Sequence, residues 1–173
     1  MGGIDAGAGQ LGASAVLDAE RRLDTLVDLM TELRSIASAT DVARQAVRVL
    51  AGNHDDLPAF GFFVVVTDQD GSRGIHPAAG TFAPAQVTQA ADLAARVAES
   101  AQRQESALVR EASDGPAVLH TFPLAEEALG QPSMILVISV PPGHAGDATW
   151  QGFVDLLVAQ LSGVLAGVRE LAS

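Results

Sequence analysis

Four histidines and one pair of adjacent glutamates, in a chain with no cysteine, are the residues from which a reaction centre would have to be assembled. Imidazole binds metal or haem iron and titrates near neutrality. His54 and His144 fall in polar or Gly-Pro loops and read as solvated side chains. His76 lies in an expected second strand and His120 in a central one, where it alternates with Val118 and Phe122. Both are candidates to line an internal pocket. No second ligand is spaced beside either, so a hydrogen-bonded core histidine is the favoured reading, and neither a metal site nor a cofactor is expected. The absence of thiols excludes disulfides, thiolate metal sites, cysteine nucleophiles and cofactors attached through sulfur. Glu126 and Glu127 sit between two extended segments and read as a solvated turn. The sequence carries no serine nucleophile elbow, P-loop or dinucleotide fingerprint, and the expectation is a protein that is not an enzyme.

Composition narrows the partners. Asp and Glu outnumber Lys and Arg by 21 to 10, for a formal charge of −11. Such a surface repels phosphate backbones and anionic headgroups, so neither nucleic acid nor membrane is an expected partner. Of the 173 residues, 48% are hydrophobic but only 4% aromatic, which makes the core one of Ala, Val and Leu. The length suits one domain, read here as 15–173 behind a flexible Gly/Ala-rich tail at 1–14. The run Phe153 to Val168 is interrupted by Asp155 and Gln160 and is short for a bilayer span, and no secretory signal is evident, so a cytoplasmic location is expected.

Periodicity supplies the elements. From Ala15 to Ser38, Leu23, Leu26, Met30, Leu33 and Ala37 recur three and four apart, the spacing of an amphipathic helix. Val27, Leu29 and Ile36 widen its apolar surface, enough for two neighbours. Thr40 is the expected N-cap of a second helix ending before Gly52. Phe60 to Thr67 is dense in β-branched and aromatic residues and leads through Asp68 to Gly71 into a hairpin with Arg73 to Ala79. Pro84 opens a third helix with small side chains on one face. Extended segments follow at Ser106 to Glu111, Ala117 to Leu124 and Ser133 to Val140, and Asp147 is placed to cap a last helix running to about Leu171. Strands grouped between terminal helices indicate an α+β fold with a largely antiparallel sheet of five to six strands. The N- and C-terminal helices lie on one face, with a covering helix and loops on the other.

Two surfaces then invite function. A pocket under the covering helix would be lined by Phe63, Val65, His76, His120 and Phe122, although alternation allows their neighbours to point inward instead. The terminal helices carry more apolar surface than one sheet face requires. Leu23, Leu26, Met30 and Leu33 of the first helix, and Leu161, Val164, Leu165 and Val168 of the last, are the expected contacts of a homodimer. Gly163 and Gly167 add a GxxxG spacing that suits a helix contact and internal packing equally.

The runs VLAGNHDDLP (Val49 to Pro58), DQDG (Asp68 to Gly71) and HPAAG (His76 to Gly80) resemble the GAF input domains of bacterial hybrid sensor histidine kinases, particularly actinobacterial ones. FPLAEEALGQPSMILVISVPP (Phe122 to Pro142) and DATWQGFVDLLVAQLSGVLAGVREL (Asp147 to Leu171) extend the resemblance over about residues 20 to 171. It implies a GAF-like, PAS/profilin-like sheet and a role in signal transduction in a two-component system: a homodimeric sensor that takes an unidentified small molecule and controls a linked or separate kinase or other effector. The alternative is a stand-alone interaction or scaffold domain whose pocket is filled by its own Phe62, Phe63 and Phe82. The branches of that family that tether a tetrapyrrole or run redox chemistry through cysteine are excluded here, and the Asn-Lys-Phe-Asp-Glu pattern of the cyclic-nucleotide branch is absent.

Overall fold

A computed structural model describes residues 2–36, 38–67, 69–71, 73–100, 106–111, 115–127, 131–141, 143–144 and 147–172. The elements are α1 (Gly2–Glu32), α2 (Ala39–Leu50), β1 (Phe60–Thr67), β2 (Arg73–Gly80), α3 (Pro84–Ser100), β3 (Ser106–Glu111), β4 (Gly115–Glu127), β5 (Gln131–Ser139) and α4 (Ala148–Ala172). The strands form one antiparallel sheet in the order β2-β1-β5-β4-β3.

Several boundaries differ from the sequence reading. Glu126 and Glu127, expected in a turn, belong to β4 and pair with Pro132 and Gln131, which begin β5 two residues earlier than expected. α1 ends at Glu32, short of Ser38. The expected tail at 1–14 is helical from Gly2, a continuation of α1 favoured by its alanines despite the interspersed glycines. The cap of α2 is Ser38, not Thr40: its hydroxyl accepts from the Asp41 N–H at 3.2 Å while its backbone is still extended. Asp147 caps α4 as its position suggested, with Oδ1 accepting from the amides of Thr149 at 3.0 Å and Trp150 at 3.3 Å.

The period-two alternation of the strands divides the core into two layers. Phe60 and Phe62 of β1, Phe122 and Leu124 of β4, and Met134, Leu136 and Ile138 of β5 face α1, α2 and α4. Phe63, Leu119, Ile135 and Val137 face α3, which meets them with Ala90, Leu93, Ala94, Val97 and Ala98. β5 runs through the middle and is buried on both sides, which accounts for its unbroken apolar run. At the β1–β2 edge a Cβ on Gly80 would lie 2.7 Å from Gly61 Cα and Phe60 O, so only glycine permits the close approach beside the register shift at Phe62/Phe63.

By length and composition, Ala148–Val168 of α4 is also apolar enough to cross a membrane, a longer stretch than the Phe153 to Val168 run alone. Here that apolarity serves the fold. Trp150, Phe153, Val154, Leu157, Leu161, Leu165 and Val168 all pack into the layer between the sheet and the terminal helices.

Candidate functional site

The residues expected to line one pocket are distributed over both faces of the sheet. Phe63 is buried on the α3 side and Val65 packs partly buried beside it. His120 and Phe122 stand opposite Ile138 and Leu136, on the side of the terminal helices. His76 is exposed on edge strand β2, opposite Val64. Phe63 and Val65 therefore cannot share a cavity with His120 and Phe122, because odd positions of β1 and even positions of β4 project to opposite faces. On the α3 side the described residues leave a small cavity of about 130 Å³ beside Gly61, Phe63, Phe82 and Val87. Ligand pockets usually measure about 300–1,000 Å³.

His120 is half-buried under the start of α4, with its ring 6.4 Å from both Phe122 and Trp150, edge-on to the indole. Burial pushes its pKa below the ordinary imidazole value. The unfolded chain, where His titrates near 6.5, then binds more protons than the folded one just below that pH. Stability from this group is fully present above about 6.5 and is lost as pH falls toward the lowered folded value. His120→Leu is expected to flatten this dependence in urea titrations between pH 5 and 7.5. An unchanged slope would show that His120 is solvated in the fold.

The terminal-helix face is divided differently from the expectation. Leu26 of α1 and Leu161 and Leu165 of α4 are buried in the protein's own core and are not the outer contacts expected of them, while Leu33, Val164 and Val168 pack against that core and also edge the groove between the two helices. The heptad of α1 is used inward through Leu26, Leu29 and Leu33. Leu23 and Met30 remain outside, 60% and 56% exposed, and Val16 and Val27 extend their row. On α4 the outer face is Gly152, Leu156, Ala159 and Gly163, with Leu156 58% exposed. A groove of about 430 Å³ runs between the two helices, walled by Met30, Leu33 and Ile36 on one side and Ala159, Gly163 and Val164 on the other. Gln160 also lines it, and its Oε1 is buried and accepts no hydrogen bond among the described residues.

Behind this face lies a junction that the sequence reading missed. Asp56, fully buried in the loop between α2 and β1, accepts from Arg22 Nε at 3.0 Å, Arg21 Nε at 3.1 Å and Asn53 Nδ2 at 2.9 Å. Asn53 also donates to Thr25 Oγ1 at 3.2 Å, and Arg21 reaches Asp18 at 2.9 Å. The main-chain carbonyl of Asp56 accepts from the indole N–H of Trp150 at 2.9 Å. Arg22 meanwhile lies over the ring of Phe153, 5.9 Å from its centroid. One residue thus holds α1 by its carboxylate and α4 by its backbone. Burial opposes the charge on Asp56, but hydrogen bonds from Arg21, Arg22 and Asn53 outweigh it and hold the carboxyl below its usual pKa. The signal in the sequence was Arg22, a charge in the inward row that continues with Leu26, Leu29 and Leu33.

No family model matches the sequence. No curated protein matches it either. Among solved structures the chain is similar to the GAF domain of a protein assigned as a sensor histidine kinase from Pseudomonas syringae pv. tomato, at 16% identity and TM-score 0.60, over 93% of this chain and 97% of that one. The GAF domain of a phosphoenolpyruvate-protein phosphotransferase from Coxiella burnetii aligns at 17% identity and TM-score 0.58, over 89% and 98%. That of the Acinetobacter phosphoenolpyruvate-protein phosphotransferase aligns at 18% and 0.54, over 86% and 94%. The order of elements, the antiparallel sheet and the placement of the terminal helices are therefore those of the GAF-domain fold.

Proposed function

We propose that the protein is a non-enzymatic regulatory module of the GAF fold that pairs with a second copy through its terminal helices and passes a change in their packing to a linked or separate effector. The observation that carries this reading is the set of large apolar side chains left exposed on the two helices, Leu23 and Met30 of α1 and Leu156 of α4, together with the groove between the helices that Met30 lines. Apolar side chains exposed around a groove suit an interaction site, and a twofold pair is the commonest way to cover one. Structural neighbours include GAF domains from a sensor histidine kinase and from phosphotransferases, which supports a regulatory setting.

A second reading, an interaction domain with no small ligand, draws support from the α3 side. There Leu93, Ala94 and Val97 pack with Phe63, Ile135 and Val137, and the cavity of about 130 Å³ is small. Sedimentation equilibrium at micromolar concentration is expected to give twice the mass of the chain. A monomer throughout would overturn the proposed pairing.

A further inference from the structure

The exposed side of α1 is divided in two. Around the helix, at 3.6 residues per turn, its outer side chains follow the order Met30, Leu23, Val16, Val27, Glu20, Asp24, Leu17, Asp28. Met30 begins this sequence at the groove against α4. Leu17 and Asp28 end it on the opposite side, where a hollow of about 390 Å³ is walled by Leu17, Glu20, Asp24 and Asp28 and closed by Val49 and Gly52 at the end of α2. Arg21 also reaches the hollow, but Asp18, Asp55 and Asp56 already hold it. Glu20, Asp24 and Asp28 are exposed and make no ion pair among the described residues. Beside them Val16, Leu17 and Val27 are 57%, 63% and 52% exposed, more than single scattered side chains would account for.

The chemistry of this surface selects its occupant. Another copy of the chain, at net charge −11, would bring acids against acids, and nucleic acid is repelled for the same reason. A metal ion is also a poor fit. The three carboxylates are spaced about 6 Å apart along the helix axis, and no group of His, Asp or Glu among the described residues is placed to hold one. Several cations at matching spacing are required, next to an apolar row. An extended strand could match the repeat but would leave its backbone groups unpaired against a helix side, whereas a helix satisfies its own. A helix with apolar residues on one face and one lysine or arginine per turn beside them meets each condition.

We infer that the side of α1 turned toward α2 docks a basic amphipathic helix of a partner protein. Its cations pair with Glu20, Asp24 and Asp28, and its apolar row covers Val16, Leu17 and Val27. This rests on the regulatory reading, which calls for an effector, and not on pairing between copies, whose contacts at Met30 and Leu156 lie elsewhere.

The probe is a designed, N-acetylated helix with a leucine stripe and one lysine per turn beside it, with a glutamate-for-lysine counterpart. Fluorescence anisotropy is expected to show binding of the lysine peptide alone, weakening as salt rises from about 0.05 to 0.5 M. Asp24→Asn with Asp28→Asn is expected to weaken binding about five-fold. Asp92→Asn with Glu99→Gln makes the same change in net charge on the exposed side of α3 and is expected to leave it unchanged. All ten basic residues of this chain are arginine, so a carbodiimide that joins carboxylates to lysine maps where the peptide lies. Crosslinks are expected at Glu20, Asp24 and Asp28. Equal losses from the two double variants, or crosslinks spread over other acids, would reduce the binding to general charge attraction and overturn the docking site, even if the wild type sediments as a dimer. A monomeric wild type that binds with the expected pattern would remove the pairing and leave the docking site standing. Dissociation of the dimer by the peptide would show that the two surfaces are one, and would also overturn it.

Discussion

Asp56→Ala is expected to destabilise the protein by about 3–5 kcal/mol, the range seen when one partner of a buried ion pair is removed. The variant leaves the Arg22 side chain, itself almost wholly buried, without its carboxylate, and removes an acceptor from Asn53 and Arg21. Asp56→Asn keeps the shape and one acceptor oxygen but not the charge, and is expected to fall between wild type and alanine. Urea denaturation at pH 7 measures both. A second consequence concerns acid. Because the folded carboxyl lies below its ordinary value, the unfolded chain takes up the proton first. This contribution is fully present above about pH 4 and is lost as pH falls through the lowered folded value. In Asp56→Ala that part of the acid dependence is expected to vanish, while the separate loss below about pH 6.5 assigned to His120 persists. An alanine variant within about 1 kcal/mol of wild type would show that the junction is a surface network of little energetic weight.

The consequence for function lies in what the junction connects. α1 and α4 both bond to Asp56, α1 to its carboxylate and α4 to its carbonyl, so displacement of either helix acts on a residue that the other also holds. A regulatory module whose output passes through its terminal helices needs them to move together. A buried, fully partnered polar cluster is one means of enforcing a single relative placement, since a half-satisfied alternative is penalised.

The strands were legible because β-branched and aromatic residues concentrate in them and Gly, Pro and Asp separate them. Phe60 to Thr67 and Ser106 to Glu111 stand where their composition placed them. Helix α4 was equally clear, down to its cap at Asp147. What alternation could not decide was facing. It groups Phe63 with Val65, and His120 with Phe122, but relating one strand's parity to another's requires the register between them. That register is fixed by pairings such as Phe122 with Leu136 and Phe62 with Leu136, contacts across long stretches of sequence. The terminal helices posed the same difficulty. Their surplus of apolar surface read as a contact for a partner, yet Leu161, Leu165 and Val168 of α4 turn inward, and its outer face is Gly152, Leu156, Ala159 and Gly163, where Leu156 alone is large. The Asp56 junction was invisible for a further reason. Its members are Arg21, Arg22, Asn53 and Trp150, and the indole bond spans 94 positions, so no local motif carries it.

Trp150→Ala is expected to cost about 3–5 kcal/mol, as large aromatic truncations in cores do. Trp150 is the only tryptophan, almost completely buried at the first turn of α4, and packs between the sheet and the loop of Asp56. Trp150→Phe separates its two roles: it keeps most of the ring but strands the Asp56 carbonyl, for an expected loss of about 1–3 kcal/mol. Since the fluorescence probe goes with the residue, circular dichroism follows unfolding in both variants. The decisive comparison is a double-mutant cycle with Asp56→Ala. If the carboxylate positions the carbonyl that receives the indole, the two losses fall short of additivity by about 0.5–3 kcal/mol. Independent anchors would instead give additive losses to within about 0.5 kcal/mol. Additivity would mean that α1 and α4 are each fixed to the loop separately, and that a shift in one helix has no route through Asp56 to the other.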